Sequence, residues 1–299
     1  MVFKDLERAK KESSLNRIVY LSSPKKIPAI LKENGYEIPV VLGMELDVLP
    51  VNLFFRYSDI FNSSKIIDIS HQVRLVRAIK SDYEINLIRK AAKFSDKIVI
   101  TAGNLIKEMC GASATTQSYI SSPTGGEGVN PSVAQGAGFN TIKRNEPLLF
   151  DFAFAYNGYI SDHTRIFAIG NLSDKLYHAH NAMLDIHDLL KREAKPDVPA
   201  GNLYDLALEQ AKQSGYENNF MGAGDKRIHF VGHGVGLELD EYPFLAKGQK
   251  LKLQEKMVIA IEPKLIFPDK GVVGIENTCI VTKSGLEPLS KIDGEVIVV

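Results

Sequence analysis

Cysteine is scarce in this chain. Its two thiols, Cys110 and Cys279, lie far apart and form no CxxC pair, so no disulfide framework is expected and both read as buried free thiols packed as small hydrophobes. Net charge is absent as well: 36 basic residues balance 36 acidic ones. That removes the electrostatic case for a nucleic acid or an anionic membrane as partner. No apolar run approaches the ~18 residues that span a bilayer. The opening MVFKDLERAKKESS is charged and helical in character, without the apolar core of a signal peptide, so the expected setting is cytoplasmic. No internal repeat is found at solenoid periods. The glycines make neither a phosphate loop nor a dinucleotide fingerprint. Gly125-Gly126-Glu127-Gly128 lacks a following Gly-Lys-Ser/Thr, and the glycines around His233 lack a strand–turn–helix frame.

What remains is an ordinary globular composition. The 299 residues are 44% hydrophobic and 24% charged, enough apolar material for a large core in one or two domains. Two segments read differently. In residues 1–76, the runs Arg17–Leu21, Pro39–Leu42 and Lys65–Ile69 look like strands, and 24–34 and 50–61 look helical, which predicts a small α/β domain. A long helix then opens the segment 77–299. Ser81 and Glu84 form a capping box, and Ile85, Ile88, Ala92 and Ile98 follow at helical spacing. Residues 121–141, rich in Gly, Ser and Pro, read as loop. Residues 147–169 read as a β-hairpin, 174–194 and 202–214 as helices, and 228–282 as strands with turns.

Acids stand where apolar strands would not tolerate them unaided. Asp151 sits in Leu148-Leu149-Phe150-Asp151-Phe152-Ala153, where burial is costly unless the carboxylate is paired or bound to a metal. Asp162 follows in Tyr159-Ile160-Ser161-Asp162, and Asn157-Gly158 between them is a strong hairpin signal. A turn there sets Ala153 opposite Asp162 and brings Asp151 diagonally within about 7–8 Å on the same face. Such a pair repels unless a cation intervenes; the bland alternative is a salt bridge from one Asp to Arg165 or another base. Glu262 ends the apolar strand Met257–Ile261 before Pro263, and Glu276 lies in the strand after the turn 268–271. A hairpin there brings the two glutamates together, although a slip of one residue would turn one away. His229 and His233, four apart, share a face if extended. Four carboxylates and one imidazole are neutral with two divalent ions and strongly repulsive with none, and a donor set of this kind suits Mn, Fe, Co or Zn.

Taken together these residues resemble the pita-bread metallopeptidases, in particular the Xaa-Pro dipeptidase and aminopeptidase P branch. The resemblance runs through Arg77-Ala-Ile-Lys80-Ser81 with Glu84, Asp151, Gly158-Tyr-Ile-Ser-Asp162-His-Thr-Arg165, His229-x-x-Gly-His233-Gly-x-Gly, Glu262-Pro263, and Gly274-Ile-Glu276 with Val281-Thr282. It implies an α+β pita-bread (creatinase/aminopeptidase) catalytic domain over 77–299. Before it stands a shortened creatinase-type N-terminal domain, a small α/β unit, over 1–76. It also implies two divalent ions held by Asp151, Asp162, His233, Glu262 and Glu276, with a hydroxide bridging them as nucleophile. The substrate would be a small peptide or amide, and the assembly a homodimer.

The candidate catalytic residues are Glu262 as ligand and general base, His229 as a residue near substrate, and Asp240. Asp240 stands where the family usually has a substrate-binding histidine. A second helper histidine is missing from Pro131-Ser132-Val133-Ala134-Gln135. Donors of this kind are typically worth about 2.7–4 kcal/mol each in barrier. The alternatives are therefore a non-peptidase relative, such as a metal-dependent lyase on a small polar substrate, or a binding module without catalysis.

Overall fold

The structure, a computed structural model, describes residues 6–106, 141–224, 227–268 and 270–299. The expected loop at 121–140, Cys110 and the Pro131–Gln135 segment lie outside the described residues. Contacts divide the chain into two units, Met1–Val76 and Arg77–Val299.

The first unit contains α1 (Leu6–Glu12), α2 (Ile27–Glu33), β1 (Val41–Met44), α3 (Val51–Ile60), β2 (Lys65–Asp68) and most of α4 (Ser70–Ala78). β1 and β2 pair in parallel, from Val41 opposite Lys65 to Met44 opposite Asp68, with α3 in the crossover that parallel strands require. Two strand expectations shift. Pro39 has no N–H to give a ladder, so β1 starts at Val41, and the Pro39 carbonyl instead accepts from the Ser64 hydroxyl at 2.6 Å. Arg17–Leu21 has bridge pairing at Tyr20 alone. A short apolar run announces burial rather than the neighbouring strand that a ladder needs.

The second unit opens with α5 (Asp82–Ile106). Its capping box forms as the sequence predicts: Ser81 N donates to Glu84 Oε2 at 2.7 Å and Glu84 N to Ser81 Oγ at 3.3 Å. Then come β3 (Leu148–Tyr156), β4 (Tyr159–Ala168), α6 (Asp174–Glu193), α7 (Ala200–Gln213), β5 (Phe230–Gly234), β6 (Glu241–Ala246) and β7 (Val258–Ile261). The last five are β8 (Lys264–Phe267), β9 (Gly271–Gly274), β10 (Glu276–Thr282), β11 (Gly285–Pro288) and β12 (Ile297–Val298). The main sheet runs β12-β4-β10-β7-β5-β6, with β3 on β4 and β11 on β10, while β8 and β9 form a separate ribbon.

Alternation along these strands decides where the helices pack. Ile259, Ile261, Cys279 and Val281 enter one core with Met183, Ile186 and Leu190 of α6 and Leu203 and Ala207 of α7. Phe150 and Phe152 pack toward Val99 and Ala102 of α5. The intervening residues, Ala260 and Glu262 on one side and Asp151 and Ala153 on the other, are left on the opposite face. Burial raises the Cys279 thiol to about 12, which makes it the inert core residue that its scarcity suggests.

Candidate metal centre

Two rows of residues cross the face that carries Ala260 and Asp151. The first follows the pairing of Asp151 with Thr164 and of Thr164 with Glu276. Glu262 joins it, because the ladder positions Asn277↔Ile261 and Lys264↔Gly274 bracket Glu262 and Glu276 and set them face to face. The register left open by the sequence thus puts both glutamates on one side. The second row contains Ala153 opposite Asp162, Thr278 opposite Ala260, and Ala260 opposite His233. Thr278 ties it to β4: Asp162 N donates to Thr278 Oγ1 at 2.7 Å, and that hydroxyl donates to the Asp162 carbonyl at 3.0 Å. Small side chains in the second row leave space in front of Asp162 and His233.

The Asn157-Gly158 turn makes this arrangement possible. Asn157 (φ 49°) and Gly158 (φ 85°) take the left-handed conformations of the two-residue hairpin, which fixes the β3–β4 register. The salt bridge weighed as the bland alternative forms, but with another base: Asp151 pairs with Lys264 at 3.1 Å, and Arg165 takes no part. It is buried on the opposite face and donates to the carbonyls of Thr164 at 2.8 Å and Glu276 at 2.9 Å, and to Asn277 Oδ1 at 2.8 Å, clamping β4 to β10 from behind.

Asp162, Glu276, Glu262 and His233 are buried, whereas the Asp151 side chain is 45% exposed and marks the open side of the site. His233 Nε2 faces Asp162 at 3.8 Å, Glu262 at 3.7 Å and Glu276 at 3.9 Å. Its Nδ1 lies 3.0 Å from the Gly234 carbonyl and 3.4 Å from Asp240 Oδ1. An imidazole that donates Nδ1–H to a carbonyl presents the Nε2 lone pair to the cluster, the orientation of a metal-ligating histidine. Asp162, His233 and Glu276 each offer one ligand atom, all within 4.8 Å of one another. Burial, and then the charges of Glu276, Asp151 and Glu262, push the Asp162 carboxyl well above the usual range. Burial opposes charge on His233, yet Glu262, Glu276 and Asp240 outweigh it and raise its pKa. Buried groups shifted in this way call for a cation among them. The donor set of two carboxylates and an imidazole fits a divalent ion at this place.

One cation is already there, and the sequence reading did not include it. Lys264 Nζ donates to Glu262 Oε2 at 2.9 Å, Asp151 Oδ2 at 3.1 Å and Glu276 Oε2 at 3.3 Å. Its burial disfavours the charge, but Asp151, Glu262 and Glu276 hold its pKa well above the ordinary lysine value. The signal was available: Lys264 lies two residues after Glu262, and in extended chain such residues share a face. Thr164 was also missed; its hydroxyl donates to Glu276 Oε2 at 2.7 Å.

The remaining candidates stand apart from the carboxylates to different degrees. His229 is exposed just before β5, and its Nδ1 lies 3.2 Å from the Tyr204 hydroxyl. Asp240 flanks His233 as described. Glu241, next to it, is buried and accepts from Leu237 N at 2.9 Å, Glu238 N at 3.1 Å and Lys80 Nζ at 3.0 Å, with Arg77 on its other side. Arg77 and Lys80 therefore clamp the loop that carries Asp240 beside the imidazole.

A largely antiparallel sheet backed by helices, with a buried carboxylate–imidazole cluster on it, defines a metallohydrolase of the pita-bread type. The model of metallopeptidase family M24 matches residues 86–283, and that of the creatinase/prolidase N-terminal domain matches residues 1–79. The chain belongs to metallopeptidase family M24. It is 31% identical over 312 residues to the Xaa-Pro dipeptidase of Pyrococcus furiosus, covering 98% of this chain and 84% of that protein. The prolidase structure from Pyrococcus furiosus superposes with a TM-score of 0.76 at 28% identity, covering 98% of this chain and 86% of that one. The Xaa-Pro dipeptidase from Bacillus anthracis gives 0.78 at 27% identity over 99% of this chain and 84% of that one. The expected α+β pita-bread class and the peptidase branch are both borne out.

Proposed function

We propose that this chain is a metal-dependent hydrolase of the Xaa-Pro dipeptidase type, acting on the amide bond of a small peptide. The observation that carries the reading is the convergence of Asp162, Glu276, Glu262 and the Nε2 of His233 on one buried patch of the sheet. The relatives named above supply the substrate class.

In this reading Asp162, His233 and Glu276 hold a divalent ion of the Mn, Co, Zn or Fe group. When bound, such an ion makes a water nucleophilic near neutral pH and polarises the scissile carbonyl. The chain's own groups do the rest. Glu262 takes the proton of the attacking water as general base, a role worth typically 10²–10⁴-fold. The Gly234 carbonyl fixes the His233 tautomer, Thr164 orients Glu276, and the half-exposed Asp151 borders the entry for substrate. Asp240 acts as a positioning residue through His233, and His229, held by Tyr204, belongs to the rim. The two-ion expectation meets Lys264, taken up below. Residues 1–76 are read as the shortened creatinase-type domain and 77–299 as the catalytic one. Homodimerisation and a cytoplasmic setting complete the proposal; light scattering and cell fractionation test them. No helix among the described residues is long and apolar enough to cross a membrane. No observation favours the lyase or binding-module alternatives.

The test is hydrolysis of Xaa-Pro dipeptides by the chelator-stripped protein reconstituted with Mn(II) or Co(II). Turnover that returns with the ion and falls at least 10²-fold in Glu262→Gln is expected. Tight ion binding without cleavage of any peptide would refute the assignment.

A further inference from the structure

The charge balance and the family resemblance imply two divalent ions at this centre. The geometry points to a different composition: we propose that the Lys264 ammonium permanently fills the second cation position, so that the centre takes one divalent ion, at Asp162, His233 and Glu276. The inference rests on the metal-centre reading above and refines it.

Three observations carry it. First, an ammonium has three N–H donors and no acceptor, and Lys264 Nζ has three carboxylate partners, Glu262 at 2.9 Å, Asp151 at 3.1 Å and Glu276 at 3.3 Å. Every donor has an anionic partner, and the partners come from β3, the end of β7 and the start of β10. An ion bound to the same oxygens would sit at about 2.0–2.2 Å from them, in the space that Nζ occupies.

Second, the lysine is built in. Its stem lies across Gly274, where an added Cβ would come within 2.8 Å of Lys264 Cα and Cγ. Its backbone is fixed on both sides, by pairing with Gly274 and by Met221 N donating to the Lys264 carbonyl at 2.9 Å. The side chain is 10% exposed, so a second ion would have to drive a buried ammonium out of a fitted slot.

Third, the remaining ligand atoms segregate. Asp162, His233 and Glu276 each offer a ligand atom within 4.8 Å of the others, and neither Asp162 nor His233 pairs with Nζ. Asp151 thus serves the ammonium and Asp162 the ion, while the two glutamates are shared: Glu276 Oε2 meets Lys264 at 3.3 Å with Oε1 3.9 Å from His233 Nε2, and Glu262 Oε2 meets Lys264 at 2.9 Å with Oε1 3.7 Å from His233 Nε2.

Metal stoichiometry decides the matter. The full chain is stripped with chelator, equilibrated with excess Mn(II), passed through a desalting column, and analysed for metal against protein. The expected values are one ion per chain in the wild type, one in Lys264→Arg and two in Lys264→Ala. Electron paramagnetic resonance gives a reading that needs no variant: an isolated Mn(II) pattern is expected in the wild type. Two ions in the wild type, or the spectrum of an exchange-coupled pair, overturns the proposal while leaving the metal centre intact. No ion in the wild type or in Lys264→Ala would instead overturn the metal-centre reading itself.

Discussion

At the scale of single residues, the proposed metal centre depends on groups that hold the candidate ligands as much as on those ligands. Thr164 faces Glu276 across the β4–β10 ladder and donates to its Oε2 from a fully buried hydroxyl. Removing such a supporting donor typically costs 10–100-fold in metal affinity. Thr164→Val, which keeps the shape and loses the hydroxyl, should therefore weaken Mn(II) binding by roughly 10–100-fold in a calorimetric titration. Thr164→Ser should restore most of it. An unchanged affinity in Thr164→Val would mean that Glu276 is oriented by Lys264 alone. The ligand-type residues were legible in sequence because an acid inside an apolar strand is expensive and announces itself. For Lys264 the i, i+2 spacing from Glu262 was a signal that did not suffice, because a lysine beside an acid is common on solvated faces and only burial distinguishes the two cases. Thr164 and Thr278 gave no signal, since threonine is an ordinary strand residue.

At the scale of elements, the site is held by contacts between segments distant in the chain. The buried Lys80–Glu241 pair, at 3.0 Å with side chains 1% and 5% exposed, joins the start of the second unit to the first residue of β6. Breaking a buried pair from one side leaves an uncompensated charge and costs about 3–5 kcal/mol. Arg77 also meets Glu241, so Lys80→Met should fall near the lower end, about 3 kcal/mol in urea denaturation. Lys80→Met combined with Glu241→Leu should recover part of the loss. If the double variant is no more stable than the single one, the pair is not an isolated electrostatic unit.

The elements themselves were read unequally well. The 147–169 hairpin was legible down to the pairing of Ala153 with Asp162, because Asn157-Gly158 fixes both turn type and register. The α5 start was equally plain from Ser81 and Glu84. The Glu262–Glu276 hairpin was visible as a hairpin, but its register needed the β8–β9 and β7–β10 ladders. Arg17–Leu21 failed as a strand, and the Lys80–Glu241 contact lay beyond any local pattern.

At the scale of the whole molecule, one sheet divides the labour. One face buries Ile259, Ile261, Cys279 and Val281 in the main core with α6 and α7, which supplies the rigidity. Its other face carries the charged groups on alternate residues of the same strands, so that packing on one side sets ligand positions on the other. That coupling explains why a chain with no net charge and an unremarkable composition still concentrates four acids, an imidazole and an ammonium in one place. The most direct measurement is an anomalous difference map from crystals soaked in Mn(II). A peak enclosed by Asp162, His233 and Glu276, with lysine density beside Asp151 and Glu262, is the result this account predicts; a map with no peak on that face at saturating Mn(II) would contradict it.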